Sequence, residues 1–328
     1  MSHHIVVTNP IHDEVLQRLA GVASVDVNPG IEPWHSAELS RRLASATAMM
    51  GFMPDCVDAA LLASAPRLRI VACALKGFDN YDVAACTRAG VWVSIVPDLL
   101  TEPTAELAVG LGIGLARQMR AGDHLVRSGK FQGWRAQFYG SGLAGSTVAV
   151  VGLGAVGQAV VDRLQGFDCA RVLGVDPVTA DPRCAPVTLA EAMALADYVF
   201  VTAPLVPSSS RMIDAPLLAK ARPGQLLINV GRGSVIDEAA VADALSTGRL
   251  GGYAADVFAF EDWGWHDAPR EIPAALLAHP ATLFTPHLGS AVRSVRVAIE
   301  HCAADNILAV LEGGRPPQAI NQPLLRVA

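Results

Sequence analysis

The stretch TVAVVGLGAVGQAVVDRL, residues 147–164, decides the fold. An apolar run rich in valine leads into Gly152, and a segment with helical spacing follows Gly154. Together with Gly157, these glycines form a G-x-G-x-x-G pattern between a predicted strand and a predicted helix, which is typical of a dinucleotide-binding turn. The first glycine permits the tight turn, the second admits a pyrophosphate and the third lets helix and strand pack closely. The stretch therefore predicts a nucleotide cofactor.

An acidic residue at the end of the next predicted strand indicates which cofactor. The strand ARVLGV is followed by Asp176, 24 residues after Gly152, and no arginine or lysine follows before Arg183. A carboxylate here can accept hydrogen bonds from the adenosine ribose and would repel a 2′-phosphate, although a solvent-exposed loop aspartate is the alternative. We therefore expect NAD rather than NADP. The residues expected to bind it here are Gly152, Gly154, Ala155, Val156, Gly157 and Asp176.

Strand and helix patterns alternate along the whole chain. In the first hundred residues the β-like runs are HIVVTN, TAMMGFM, LRIVACAL and VWVSIV. After Ser146 they are TVAVVG, ARVLGVD, YVFVTAPL, QLLINVG, YAADVF and TLFTPH. Such alternation predicts an α/β fold in which helices cover parallel sheets on both faces, and the second series is typical of a doubly wound sheet.

A long helix is predicted between the two series, over residues 101–119. Thr101 is expected to cap it, and the glycines at 110, 112 and 114 are expected to allow close packing. After His287, the segment SVRVAIEHCAADNILAVLEGG predicts a final amphipathic helix.

Composition excludes several classes of protein. A chain of 328 residues fits two domains, and its net charge of −6 argues against a nucleic-acid partner. No apolar run is long enough to span a bilayer, and the start of the sequence lacks the pattern of a signal peptide. The six cysteines form no CxxC pair, and no cluster has metal-ligand spacing. We expect a cytoplasmic protein with free thiols, without a metal, a membrane or a nucleic acid as partner.

Three polar residues follow predicted strands of the second half. Arg232 lies in LLINVGRGSVID, Glu261 in ADVFAFED and His287 in TLFTPHLGSA. In an open α/β sheet the ligand crevice lies at the carboxyl ends of the strands, so these segments can converge there. An arginine can hold an oxyanion, a histidine can move a proton near neutral pH, and a carboxylate can orient it. Singly, each residue is more often structural; together they predict a catalytic set.

The segments GLGAVG, NVGRGSVIDE, ADVFAFE and TPHLGSA resemble the signature segments of the D-2-hydroxyacid dehydrogenases. The resemblance covers nearly the whole chain. It implies two Rossmann-like domains and an interdomain active-site cleft, with a flavodoxin-like substrate domain formed by residues 1–98 and 289–328 and an NAD-binding domain formed by residues 99–288. It also implies a homodimer.

The resemblance assigns roles residue by residue. Arg232, Glu261 and His287 match the catalytic Arg/Glu/His set of the family, and Asp256 matches the residue near the nicotinamide carboxamide. Arg296 also falls in a familiar family position, where it does not discriminate among substrates. Further residues expected at the cofactor are Lys76, Thr104, Pro204, Val230, Arg232 and Gly289.

Several segments differ from the commonest members of the family. Glu261 is usually followed by proline, whereas here Asp262 and Trp263 follow, and the segment LKGFDNYD carries Lys76. These departures, with GFMPD, VPDLLTEPTAEL, RSGKFQGWRAQFYGSGL, DRLQGF and PHLGSAVRSVR, resemble the phosphonate dehydrogenases of the family. The resemblance implies NAD-dependent oxidation of phosphite to phosphate.

A physical interpretation of Lys76 agrees with this resemblance. It follows a predicted strand and is expected to face the interdomain cleft, where a second cation would suit a dianion with three oxygens. The alternative is a surface lysine whose stem covers apolar residues. Other residues expected near a small anionic substrate are Met53, Trp134, Tyr139 and Ser290; for Trp134 and Tyr139, packing in a dimer contact is an equal alternative.

Other functions stay open at this point. An enzyme of the same fold that acts on a 2-hydroxy acid such as glycerate, lactate or glyoxylate is the nearest alternative. Formate dehydrogenase is more distant, because it pairs its histidine with glutamine. A non-catalytic NAD-sensing regulator on the same scaffold is an alternative from another class.

Overall fold

The computed structural model describes residues 3–262, 264 and 268–323. They form two compact units: residues 3–100, 264 and 292–323 make the first, and residues 101–262 and 268–291 make the second. Each unit is an α/β structure built on its own parallel sheet, one of five strands and one of seven. The fold class predicted from the sequence is therefore confirmed.

The sheet of the first unit has the strand order β2-β1-β3-β4-β5, and all its strands are parallel. This is the order of flavodoxin-like sheets. The strands are β1 (His4–Val7), β2 (Ser24–Val27), β3 (Ala48–Gly51), β4 (Ile70–Cys73) and β5 (Trp92–Ser94). The helices are α1 (Asp13–Ala20), α2 (Ser36–Leu43), α3 (Ala59–Ser64), α4 (Val83–Arg88) and, from the C-terminal part, α12 (Arg293–Leu311).

Alternate residues of β1 pack into two different hydrophobic cores of this unit. Ile5 and Val7 of β1 pack in a core with residues of α1 and α12, whereas Val6 packs in a core with residues of α2, α3 and α4. Because successive side chains of a strand point to opposite faces, a sheet covered on both sides needs apolar residues at every position. The fully buried strands β3 and β4, AMMG and IVAC, show this pattern.

The sheet of the second unit has the order β12-β11-β10-β9-β6-β7-β8 and is also parallel. Its strands are β6 (Thr147–Val151), β7 (Arg171–Val175), β8 (Ala185–Pro186), β9 (Tyr198–Val201), β10 (Gln225–Asn229), β11 (Leu250–Ala255) and β12 (Thr282–Phe284). Its helices are α5 (Thr101–Ala116), α6 (Met119–Arg127), α7 (Ala155–Leu164), α8 (Leu189–Leu195), α9 (Ala215–Leu218), α10 (Glu238–Ser246) and α11 (Ala274–Ala278). The order reverses between β6 and β9, so the carboxyl ends of these two strands flank the topological switch point.

The helix predicted over residues 101–119 differs from the structure at both ends. Thr101 is the first helical residue rather than a cap, and its buried hydroxyl makes no hydrogen bond to the described residues. Gln118 adopts a left-handed conformation with φ of 51°, which ends the first helix, and α6 begins at Met119. The predicted strand YAADVF is also displaced, because β11 ends at Ala255. No helix of the described chain is long and apolar enough to cross a membrane.

The glycines of α5 give a matched test of close packing. A Cβ on Gly112 would lie 2.9 Å from Cζ of the buried Phe200, whereas a Cβ on Gly110 would meet no atom within 4 Å. We expect Gly110→Ala to stabilise the fold by about 0.5–1 kcal/mol through helix propensity. Gly112→Ala should lower the free energy of unfolding by about 1–2 kcal/mol, because overpacking outweighs the same gain. Urea denaturation of both variants checks this, and equal effects would contradict the packing assigned to Gly112.

Candidate active site

The glycine turn between β6 and α7 is shaped by close backbone contacts. Gly152 has φ of +93°, and a Cβ there would lie 2.8 Å from the backbone of Ala203. A Cβ on Gly157 would lie 1.9 Å from the carbonyl oxygen of Gly152. A Cβ on Gly154 would meet nothing within 4 Å. The first and third glycines are therefore required by the fold itself, and the second leaves open space.

Asp176 organises the neighbouring turn after β7. One carboxylate oxygen accepts a hydrogen bond from the NH of Leu153 at 2.8 Å. The other accepts from Val178 and Thr179 at 2.9 and 2.8 Å. Partial burial raises the pKa of Asp176, but the three NH donors outweigh that effect and hold the pKa below its ordinary value. Asp176 is therefore an ionised acceptor at neutral pH, fixed beside the glycine turn.

These residues fit a dinucleotide. The first NH groups of α7 have no partner within the helix and, with the open space at Gly154, suit a phosphate. The carboxylate of Asp176 lies at the carboxyl end of β7, where it can accept hydrogen bonds from ribose hydroxyls. NAD(P) would be held by this turn.

A second turn, after β12, carries His287. Asp256 follows β11 directly and is 1% exposed. Its Oδ1 accepts hydrogen bonds from the hydroxyl of Thr285 at 2.6 Å and the NH of Leu288 at 2.6 Å. Its Oδ2 accepts from the NH of Gly289 at 2.8 Å. Burial raises the pKa of Asp256, although the donors oppose this. The carboxylate thus fixes the backbone on both sides of His287.

His287 itself has a left-handed backbone with φ of 56°, and its NH donates to the carbonyl oxygen of Asp256 at 2.9 Å. Its imidazole Nδ1 lies 2.7 Å from Oε2 of Glu261. The other carboxylate oxygen of Glu261 accepts from the NH of Phe258 at 2.8 Å. The side chains of His287 and Glu261 are 32% and 17% exposed, so the imidazole is partly open to solvent while its partner is mostly covered. A carboxylate in this position orients the imidazole and fixes its tautomer.

Arg232 precedes a 3₁₀ turn, Gly233–Val235, that packs on the turn of Glu261. A Cβ on Gly233 would lie 1.9 Å from the backbone of Phe258, and the NH of Ser234 donates to the buried carboxylate of Asp262 at 2.8 Å. Arg232 donates through Nη1 to the carbonyl oxygen of Gly231 at 2.9 Å. The turns that carry Arg232 and Glu261 are therefore in direct contact.

Other residues predicted at the cofactor lie in the same unit. A Cβ on Gly289 would lie 3.0 Å from the hydroxyl of Thr104 and 3.3 Å from Oδ2 of Asp256, so these three residues are neighbours. Val230 is buried directly after β10, and Pro204 is exposed beyond β9. Ser290 is partly buried after Gly289.

Three of the predicted residues lie in the first unit. Lys76 is partly exposed, and its Nζ lies 3.6 Å from Oδ1 of Asp98, which is 79% exposed. The carbonyl oxygen of Met53 accepts from the Asn80 amide at 2.9 Å. The guanidinium of Arg296 lies 5.7 Å from the ring centre of Phe52, and its burial lowers its pKa.

Trp134 and Tyr139 lie on the second unit, 77% and 74% exposed. Trp263, which also differs from the family pattern, lies outside the described residues. In the part of the chain that the structure describes, no group of three or more histidine, cysteine or acidic side chains could hold a metal ion.

Two supporting residues were not predicted from the sequence. The hydroxyl of Thr202 donates to the carbonyl oxygen of Gly152 at 2.7 Å and so braces the glycine turn. Thr285 braces Asp256. Each is a hydroxyl that follows an apolar strand directly, and this is the signal that could have identified them.

Fold and site define an NAD(P)-dependent oxidoreductase with two parallel α/β sheets. The model of the family "D-isomer specific 2-hydroxyacid dehydrogenase, NAD binding domain" matches residues 109–289, which is more than half of the chain. The chain belongs to the D-isomer specific 2-hydroxyacid dehydrogenase family.

Individual relatives extend this similarity to the whole chain. The glyoxylate reductase of Pyrococcus furiosus is 30% identical over 100% of this chain and 98% of its own. A crystal structure of a protein from Thermus thermophilus has a TM-score of 0.89 at 32% identity and covers 97% of this chain and 100% of that one. An NADPH-dependent glyoxylate/hydroxypyruvate reductase from Sinorhizobium meliloti has a TM-score of 0.86 at 28% identity, with 100% of both chains covered.

The glycine turn allows folding and cofactor binding to be separated. Gly154→Ala should leave the melting temperature unchanged, because its Cβ meets open space, but should raise the Kd for NADH about tenfold or more by blocking the pyrophosphate. Gly152→Ala should instead lower the melting temperature, since its Cβ meets the Ala203 backbone. Thermal unfolding and NADH fluorescence titration measure the two effects. Unaltered NADH affinity in Gly154→Ala would refute the assigned phosphate position.

Proposed function

We propose that the protein reduces a small 2-oxo acid, such as glyoxylate or hydroxypyruvate, to the corresponding 2-hydroxy acid, with D configuration where the product is chiral, and catalyses the reverse oxidation. The observation that carries the proposal is the His287–Glu261 pair at 2.7 Å, which lies in the same unit as the glycine turn in a chain of this family. The names of the Pyrococcus furiosus and Sinorhizobium meliloti relatives support the choice of substrate.

The proposed roles follow from charge and geometry. In reduction, protonated His287 donates a proton to the forming hydroxyl. Glu261 stabilises the imidazolium and occupies Nδ1, so that the other ring nitrogen is left for the substrate. Arg232 binds the negatively charged oxygens of the substrate. The nicotinamide, when bound, exchanges a hydride with the substrate. Asp256 holds the His287 turn in place and lies beside Gly289; it would be the residue near the carboxamide of a bound nicotinamide. Thr104, Pro204, Val230 and Lys76 complete the proposed cofactor contacts.

The preferred cofactor in this proposal is NAD. Asp176 supplies a fixed negative charge at the ribose position. Arg183, the next cation in the sequence, binds Asp181 at 2.6 Å and Asp162 at 3.0 Å. A 2′-phosphate would therefore meet a carboxylate and compete with two others for Arg183, which disfavours NADP.

Phosphite oxidation is the second candidate, and the segment that carries Lys76 supports it. This reaction would break the P–H bond and join phosphorus to a water-derived oxygen; the hydride would pass to bound NAD as the oxidant, and His287 would accept a proton of the water. Lys76 would bind the dianion in place of its present partner Asp98. The proposed substrate contacts in either case are Met53, Lys76, Trp134, Tyr139, Arg232, Ser290 and Arg296.

We further propose a cytoplasmic homodimer, with the substrate domain at residues 1–98 and 289–328 and the NAD-binding domain at residues 99–288. The support for the dimer is the exposure of Phe131, Trp134 and Tyr139 within nine residues of one another. Such a concentration of exposed aromatic surface is typical of an association site.

A substrate comparison tests the function. Purified protein is assayed with glyoxylate and hydroxypyruvate plus NADH or NADPH, and with D-glycerate, D-lactate, formate and phosphite plus NAD or NADP. We expect turnover with the 2-oxo acids, faster with NADH. Rapid turnover with phosphite alone would replace the main proposal by the second candidate, and cofactor binding without any turnover would favour an NAD-sensing regulator. Lys76→Ala should lower phosphite turnover selectively, with Lys220→Ala, an exposed lysine, as control.

A variant of His287 tests the acid–base role. We choose His287→Gly, because glycine adopts φ of 56° without strain and leaves room for a small base. We expect kcat to fall about 10³-fold and to recover in part with added imidazole. His124→Ala, at an exposed histidine, is the control. A His287→Gly enzyme with nearly normal kcat would remove His287 from the proposed mechanism.

A further inference from the structure

Glu238 is a buried acid behind the site that the proposed chemistry does not use. It is the first residue of α10 and is 4% exposed. The helix does not need it as a cap, because the carboxylate of Asp237 already accepts from the NH groups of Ala239 and Ala240, each at 3.1 Å. Burying an ionisable group that has few partners is costly, so a role in stability alone would be served better by an apolar residue.

The carboxylate of Glu238 binds the turn that carries Glu261. Its Oε1 accepts a hydrogen bond from the NH of Ala259 at 2.9 Å. The preceding NH, that of Phe258, donates to Oε1 of Glu261 at 2.8 Å. The adjacent NH groups of Phe258 and Ala259 thus donate to two different carboxylates, those of Glu261 and Glu238. Oε2 of Glu261 is left to contact Nδ1 of His287 at 2.7 Å. A continuous set of short contacts links Glu238 to the imidazole.

Several acidic groups face Glu238. Burial raises the pKa of its carboxyl from 4.5 to about 7; the charges of Asp262, Glu261 and Asp237 act in the same direction, and the NH of Ala259 opposes them. From β11, the phenol of Tyr253 is completely buried, and the charge of Glu238 adds to the effect of burial in raising the pKa of that phenol. Oε2 of Glu238 has no hydrogen-bond partner among the described residues. The raised pKa brings the titration of Glu238 towards the range in which histidine side chains ordinarily titrate.

We propose that Glu238 is a positioning residue for the acid–base pair: its carboxylate fixes the turn that presents Glu261 to His287, and its charge acts on the imidazole through that turn. The inference rests on the proposed function, in which His287 transfers the proton. Since the two carboxylates share one turn, ionisation of Glu238 adds negative charge to the surroundings of the imidazole and so favours the imidazolium. The enzyme would then have a coupled titration rather than a single histidine titration.

The test follows the titration of His287 by NMR, which needs no turnover. The resonance is identified among the nine histidines by its absence in His287→Gln. In the wild type we expect a titration with two inflections, one from the imidazole and one from Glu238. In Glu238→Gln, which keeps an acceptor for the NH of Ala259, the second inflection should disappear and the midpoint should fall by about 0.3–0.5 pH unit. Asp243→Asn, an exposed carboxylate of the same helix, should change neither.

Kinetics and stability supply independent readouts. In 2-oxo acid reduction the alkaline limb of kcat should move to lower pH in Glu238→Gln by the same amount, with KM for NADH unchanged. Glu238→Ala, which also removes the acceptor, should lower kcat about tenfold at its optimum. Because the folded-state pKa is raised, the stability contributed by neutral Glu238 is fully present below about pH 4.5 and lost as pH rises through about 7. Glu238→Gln should be free of that loss.

The outcomes separate the inference from the proposed function. An unchanged His287 titration in Glu238→Gln, or an equal shift in Asp243→Asn, overturns the role of Glu238 whatever the substrate is. Loss of stability in Glu238→Ala with a wild-type titration in Glu238→Gln would leave only a structural residue and would also overturn it. Absence of 2-oxo acid turnover in the wild type defeats the proposed function, and normal turnover in His287→Gly removes His287 from its mechanism, while the NMR titration still reports the coupling.

Discussion

The buried carboxylate of Asp256 is the interaction on which the site depends. It exchanges its water shell for one hydroxyl and two NH donors from the segment 285–289. These bonds hold His287 at a positive φ that a histidine seldom adopts, and the strain persists because the surrounding turn is over-determined. Without this anchor the imidazole would have no fixed direction, and its short contact to Glu261 would not be maintained. The end of β11, the turn after β12 and the imidazole of His287 are thus held together as one structural unit.

A concentration of negative charge surrounds that unit. Asp256, Glu261, Asp262 and Glu238 all lie on turns beyond the carboxyl ends of β10 and β11 or on the helix that follows β10. Burial raises the pKa of both Asp256 and Glu238, and in Glu238 the charges of Asp262, Glu261 and Asp237 add to that effect. The same field stabilises a cation placed among the carboxylates. Under the proposed function this cation is the protonated His287, which transfers its proton to the substrate.

The sequence predicts the architecture well, for physical reasons. Both sheets bury their two faces, so their strands appear as apolar runs, and the glycine turn is recognisable because Gly152 and Gly157 allow no other residue. Apolar runs fail to predict the secondary structure where burial is weak. The strand β2, SVDV, is half exposed and was not predicted, and Thr101 was assigned to a cap although it lies inside α5. Glu238 carries no sequence signal of its contact, because a hydrogen bond to a backbone NH 21 residues away leaves no periodic pattern.

The choice between a 2-oxo acid and phosphite depends on how many charges the substrate brings to Lys76. Asp98 is largely exposed and its carboxylate stands 3.6 Å from the ammonium, so this partner is weakly held and can be displaced. A monoanionic carboxylate would gain little by replacing one negative group with another. A dianion would gain more, since it presents twice the charge to the same ammonium. In the proposed function, the lysine would thus favour the more highly charged substrate, whereas the His287–Glu261 pair would have the same acid–base role with either substrate.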